Sequence, residues 1–175
     1  ADGSGSYVVV FLDRSDNHYP VAQVRHILIK AVADSDGSYT DKAKEIAKNR
    51  AEEILAEFNA GDKTEDSFAE LAKDYSEDTG SAENGGLYDT VYKGATVEEF
   101  DKFCFEGHKK GDTAIVYGES SSYAGYHVMY YVGEGDLYSN LLAKNDLVNT
   151  TVSQWVEDQV NALTVTTGWW LRIAG

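Results

Sequence analysis

The sequence predicts an α+β domain, with helices packed on a small, mostly antiparallel sheet. Three observations carry this. Residues 22–30 and 125–133 are apolar, β-branched and aromatic runs of strand length. Residues 41–60 and 64–75 repeat apolar side chains at helical spacing. Between 22 and 133 the order reads β, α, α, a short β, α, β, β, without the regular strand–helix alternation that builds a parallel sheet.

The opening "ADGSGS" reads as a linker, and "YVVVFL" (7–12) as a strand. A loop holding Pro20, the only proline, leads into the strand at 22–30, and "VADSDGSYTD" (32–41) follows as an acidic loop. Ala43, Ile46, Ala47, Ala51, Ile54, Leu55 and Phe58 define the first helix, and Gly61 ends it. Phe68, Leu71, Ala72 and Tyr75 define the second. The stretch 76–86 is rich in turn residues, and 87–92 is a short extended piece. Thr96 and Glu99 spell a capping box, which predicts a helix over 97–105 carrying Phe100, Phe103 and Cys104. "TAIVY" (113–117) and "GYHVMYYVG" (125–133) read as strands joined by a serine-rich loop. Asp136 is placed to cap a long helix reaching about 163, with Leu141, Val148, Val152, Trp155, Val156, Val160 and Leu163 on one side. The expected organisation is therefore a linker and strand (1–21), a central domain (22–134) and a C-terminal helical segment (135–175).

The 175 residues carry a net charge of −15, 42% hydrophobic and 12% aromatic residues. That is enough apolar material for a core. No basic stripe exists to neutralise phosphates, which argues against nucleic-acid partners and anionic membrane surfaces. No run is long and apolar enough to span a bilayer, so no direct membrane insertion is expected of this chain. The single cysteine, Cys104 in "FCF", reads as a small buried hydrophobe. No metal-ligand spacing, phosphate loop or nucleophile elbow is present, so neither a metal nor a cofactor is expected.

"VRHILIK" (24–30) poses the chemical question. In a strand, Val24, His26, Leu28 and Lys30 share one face and Arg25, Ile27 and Ile29 the other. A histidine in an apolar layer needs hydrogen-bond partners to offset its desolvation. "GYHVMYYV" repeats the pattern at His127. Two strand histidines in one small sheet can face each other in a fixed tautomer pattern.

Taken together, "VRHILIK", "FAELAKDYSEDTGSAENGGLY", "YKGATVEEFDKFCF", "KKGDTAIV" and "YAGYHVMYYV" resemble, in order and spacing, the parvulin-type peptidyl-prolyl cis/trans isomerases. The closest branch is the extracellular foldases of Gram-positive bacteria. The likeness spans about 22–134. It implies a parvulin-like fold and an isomerase, free of cofactors, that assists the folding of exported proteins by rotating Xaa–Pro bonds without covalent chemistry. Its partners would be proline-containing segments of unfolded or exported proteins. It implies an extracytoplasmic location, with membrane or lipid anchoring in the full-length protein, and a chaperone module to which the C-terminal helical segment would belong. Oligomeric state is not implied.

By position, the resemblance makes His26 and His127 the paired histidines beneath the site. Asp78 is the carboxylate of the "YSEDTG" loop, and Ser122 falls near a hydroxyl before the last strand; with the two histidines they make the expected catalytic set, in which Asp78 would be the negative group near the substrate carbonyl. Phe100 matches an aromatic of the proline pocket, with Tyr88 and Thr96 in its wall. Thr96 stands where the family usually has methionine, Tyr88 replaces a leucine, and Ala124 takes a position often polar or aromatic. The loop after the first strand has Lys30 at its edge and no arginine, so no preference for phosphorylated substrates is expected. These departures keep a rival reading in play: a catalytically weak or inactive chaperone or peptide-binding module on the same scaffold. A cysteine hydrolase built on Cys104 is the weakest alternative.

Overall fold

The computed structural model describes residues 15–163. The chain divides into two compact units: His18–Tyr138, and a second containing the described residues 15–17 and 139–163.

The first unit is a four-stranded antiparallel sheet with helices on both faces, which bears out the α+β expectation. Its elements are β1 (Pro20–Lys30), α1 (Asp41–Ala60), α2 (Glu65–Tyr75), β2 (Leu87–Val91), α3 (Glu98–Phe105), β3 (Thr113–Glu119) and β4 (Ala124–Leu137). The sheet order is β2-β1-β4-β3. β1 and β4 are the central pair, in a register that sets Leu28 opposite His127 and His26 opposite Met129.

Strand alternation splits this unit into two apolar clusters. Ile27, Ile29, Val128 and Tyr130 pack with Ala47, Ala51, Ile54 and Phe58 of α1 and Phe68 and Ala72 of α2. Ala22, Val24, Met129 and Tyr131 face the other way and pack with Phe100, Phe103 and Cys104 of α3. α1 and α2 fall where the sequence predicts. Thr40 caps α1 by accepting from Ala43 N, and Gly61 closes it. Thr64 and Ser67 form a reciprocal capping box on α2.

Three boundaries differ from expectation. β4 runs on to Leu137, because β1 begins at Pro20 and continues to pair with it through register shifts near Ala22 and Gln23. Asp136 therefore lies within a strand and accepts from Leu137 N at 2.8 Å rather than capping a helix. The Thr96–Glu99 capping box does not form: α3 begins at Glu98, with Val97 at the cap position and no side-chain bond.

The helix of the second unit, α4 (Tyr138–Ala162), has no buried residue, and Leu147, Val148, Val152 and Trp155 are exposed. No helix among the described residues is long and apolar enough to cross a membrane. The expected strand at 7–12 and the Trp169–Trp170 pair lie outside the described residues.

Candidate active site

The sheet face beneath α3 is not filled entirely by apolar packing. At its open end His26 and His127, 2% and 4% exposed, form the floor of a cavity of about 340 Å³. Its walls are Tyr88 of β2, Ala95, Thr96 and Val97 of the turn before α3, Phe100 of α3, and Tyr123. The structure thus brings together five residues expected at the site: His26, Tyr88, Thr96, Phe100 and His127.

The histidines touch because β1 and β4 are neighbours and both side chains project to the same face. Nδ1 of His26 lies 3.0 Å from Nδ1 of His127, with the ring planes inclined by 30°. Phe100 stands edge-on to both, with ring centroids 5.4 Å from His26 and 5.3 Å from His127. Gly118, on β3, makes room for the His127 ring: a Cβ there would fall 2.7 Å from its Nε2.

Asp78 arrives by way of the 76–86 loop, which lies along the edge of β1. Glu77 N donates to Leu28 O at 2.8 Å, Leu28 N to Ser76 Oγ at 3.1 Å, and His26 N to Gly86 O at 2.9 Å. Gly86 has φ +69°, and a Cβ on it would sit 2.1 Å from the His26 carbonyl oxygen, so no side chain fits there. Arg25 fastens the same loop from the other face, donating to the carbonyls of Asn84 and Gly85 at 3.0 and 2.9 Å.

The Asp78 carboxylate is heavily solvated by the protein. Its Oδ2 accepts from Ser81 Oγ at 2.6 Å, from His26 Nε2 at 2.9 Å and from the Tyr88 hydroxyl at 3.1 Å. Its Oδ1 accepts from Gly80 N at 3.1 Å. The His26 bond, followed by those of Ser81 and Gly80, holds this carboxyl well below the usual carboxylate range. Burial, with the Asp78 charge second, pushes the Tyr88 phenol up to about 12.

These contacts orient the whole chain of groups. A carboxylate only accepts, so His26 presents Nε2–H to it. The neutral form of His26 then has a bare Nδ1, which accepts from Nδ1–H of His127. That leaves Nε2 of His127 as an acceptor for the Tyr123 hydroxyl, 3.0 Å away. Burial, with the neighbouring His26 second, lowers the His127 pKa to about 3, so His127 is neutral at physiological pH.

Two expectations change. Asp78 does not line the cavity; it lies behind His26 and Tyr88. Ser122 is not brought to the site: it is exposed, and its hydroxyl meets Ser120 Oγ at 3.0 Å. The hydroxyl that reaches His127 belongs to Tyr123. Period-two alternation back from His127 marks residue 123 as lying on the histidine face, so the signal was in the sequence. Ser81, buried against Asp78 and His26, carried no such signal, because its place depends on the turn of the 78–84 segment.

Cys104 lies on the buried face of α3, and burial raises its thiol pKa to about 12, so it is no nucleophile. No cluster among the described residues is arranged to hold a metal ion. Fold and cavity define a class of domain with an aromatic-walled pocket over a hydrogen-bonded polar floor.

The comparisons give that class its family. Residues 9–132 match the family model described as the PPIC-type PPIASE domain. The chain is 31% identical over 159 residues to Foldase protein PrsA 3 of Bacillus anthracis, an alignment covering 86% of this chain and 48% of the relative. It is 36% identical over 139 residues to Foldase protein PrsA of Staphylococcus aureus (strain Newman), covering 79% of this chain and 40% of that protein. A crystal structure of the peptidylprolyl isomerase PrsA from Bacillus anthracis aligns with a TM-score of 0.49 and 25% identity, covering 87% of this chain and 64% of that one. The chain belongs to the PPIC-type peptidyl-prolyl isomerase domain family. It spans about half the length of the curated relatives it matches.

Proposed function

We propose that this chain is an active peptidyl-prolyl cis/trans isomerase, acting outside the cytoplasm on proline-containing segments of exported proteins as they fold. The observation that carries the reading is the cavity itself. An aromatic-walled pocket stands over two buried, mutually bonded histidines whose orientation is set by Asp78 at one end and Tyr123 at the other.

Rotation about an Xaa–Pro bond must overcome amide resonance, a barrier of about 18–20 kcal/mol. No substrate bond is made or broken, so the site needs no nucleophile and no proton acceptor. It needs only to favour the twisted amide over both planar forms. In this reading Phe100, Tyr88 and Thr96 hold the proline ring, and His26 and His127 present fixed dipoles to the amide. Asp78 acts through His26 as a positioning residue, since its oxygens are already occupied. The buried histidines serve as core and site at once: their apolar surroundings are tolerated because each ring nitrogen has a partner.

A phosphate before proline would find no arginine in the loop after β1, only Lys30 at its edge. Phosphorylated peptides should therefore bind no better than plain ones.

The test is cis/trans exchange in a panel of Xaa-Pro peptides, measured by two-dimensional NMR exchange spectroscopy. Acceleration by the wild type that disappears in a folded Phe100→Ala variant supports an isomerase working at this cavity. Binding without acceleration would make the chain a peptide-binding module.

A further inference from the structure

We propose that Thr96 seats the substrate, donating a hydrogen bond from its hydroxyl to a backbone carbonyl of the bound proline-containing segment. This rests on reading the cavity as a proline pocket, and adds a specificity contact to it.

Thr96 Oγ1 is the one enclosed side-chain oxygen or nitrogen among the described residues that has no hydrogen-bond partner. Proteins rarely leave such a group unsatisfied, because its desolvation is not offset. The local sequence offers the hydroxyl an obvious task, capping α3, and the fold does not use it: α3 starts at Glu98 behind Val97 without a side-chain cap. The turn it belongs to is closed by other groups, with Ala95 N donating to Tyr92 O and Gly94 N to Asp101 Oδ1.

Thr96 nonetheless lines the cavity. The other two hydroxyls there are committed. Tyr88 donates to Asp78, and Tyr123 is bonded to His127. Thr96 is thus the cavity hydroxyl whose proton has no acceptor. A proline residue brings no backbone N–H, but the segment carries a carbonyl on each side of the ring. The chemistry that Thr96 lacks is the chemistry such a ligand supplies.

The oxygen is enclosed in its present rotamer, so engagement requires a turn about χ1 that carries the hydroxyl into another staggered well. Threonine has staggered wells available for this. An unbonded hydroxyl loses nothing on leaving its present position and gains a partner in the new one. The acceptor this requires is proline's own carbonyl, which keeps its place on the ring while the preceding Xaa–Pro amide rotates, so the contact strengthens binding without favouring the twisted state. It should appear in KM and Kd, not in kcat.

The experiment compares wild type, Thr96→Val and Thr96→Ser in titrations with peptides carrying Ala, Leu, Gln or Glu before proline, and in exchange spectroscopy. Valine keeps the shape and removes the hydroxyl; serine keeps the hydroxyl. The expected result is a Kd roughly three- to tenfold weaker in Thr96→Val for every peptide, with kcat unchanged, near wild-type affinity in Thr96→Ser, and a melting temperature for Thr96→Val no lower than wild type. Equal or tighter binding by Thr96→Val overturns the proposal. So does a loss confined to the Gln and Glu peptides, which would assign the acceptor to a side chain. A wild type that binds without accelerating exchange overturns the isomerase reading, while the Thr96→Val affinity loss still supports the seating contact. A wild type that binds no peptide overturns both.

Discussion

The two faces of the central β1–β4 pair are built from alternate residues of the same strands, yet they do different work. Beneath α1 and α2 the strands present Ile27, Ile29, Val128 and Tyr130, and the space is closed by Phe58, Phe68 and small alanines. Beneath α3 the same strands present Val24 and Met129 to a second core, then break the apolar pattern at His26 and His127 and leave a cavity. One face supplies stability through packing. The other spends part of its burial on a hydrogen-bonded network that must be complete to be tolerated. Changes on the first face should therefore alter stability alone, and changes to the histidine network on the second should alter stability and activity together.

The sharpest break of the closed face is Phe68→Ala. Phe68 is fully buried and meets Phe58 and Tyr130 edge-on or tilted. Its loss should cost about 3–5 kcal/mol in denaturant unfolding, with exchange activity per folded molecule unchanged.

Acid should act on the open face. His127 titrates near 3 in the folded chain against 6.5 ordinarily, so between those values the unfolded state binds the extra proton. Its contribution is present above about pH 6.5 and is lost as pH falls towards 3, at up to about 1.4 kcal/mol per pH unit for one proton. Asp78, also lowered, adds a further loss below about pH 4. Unfolding measured across this range should show the slope, and His127→Gln should remove the part between 6.5 and about 4.

Asp78→Ala strips the common acceptor from His26, Ser81 and Tyr88. It should cost about 1–3 kcal/mol of stability and lower kcat with little change in KM. Undiminished kcat would remove Asp78 from the account. Tyr123→Phe removes one bond to His127. It should cost only about 0.5–1.5 kcal/mol and lower kcat less than Asp78→Ala does.

The contrast between the faces also marks what could be read from sequence. α1 and α2 were legible from their apolar spacing and from Gly61, and the structure adds the caps at Thr40 and Thr64. The pairing of His26 with His127 was legible from strand alternation and from the family resemblance. Asp78 was placed correctly next to His26, but not its burial behind Tyr88, which depends on how β2 lies against the 76–86 loop. Ser122 and Tyr123 were exchanged because positional matching alone ignored the face on which each residue lies. Thr96 was read as a cap from its spacing to Glu99, whereas the backbone starts the helix two residues beyond it. The extension of β4 to Leu137 came from pairing with Pro20–Gln23, a tertiary contact with no local signature.

The most direct measurement is a titration of the isotope-labelled chain with an Xaa-Pro peptide, following every assigned resonance. Saturable shifts concentrated at His26, Tyr88, Thr96, Phe100, Tyr123 and His127, with the residues packed beneath α1 unmoved, are the result expected of a proline pocket on the α3 face. Shifts centred on the α1–α2 side, or on α4 with the cavity silent, would contradict it.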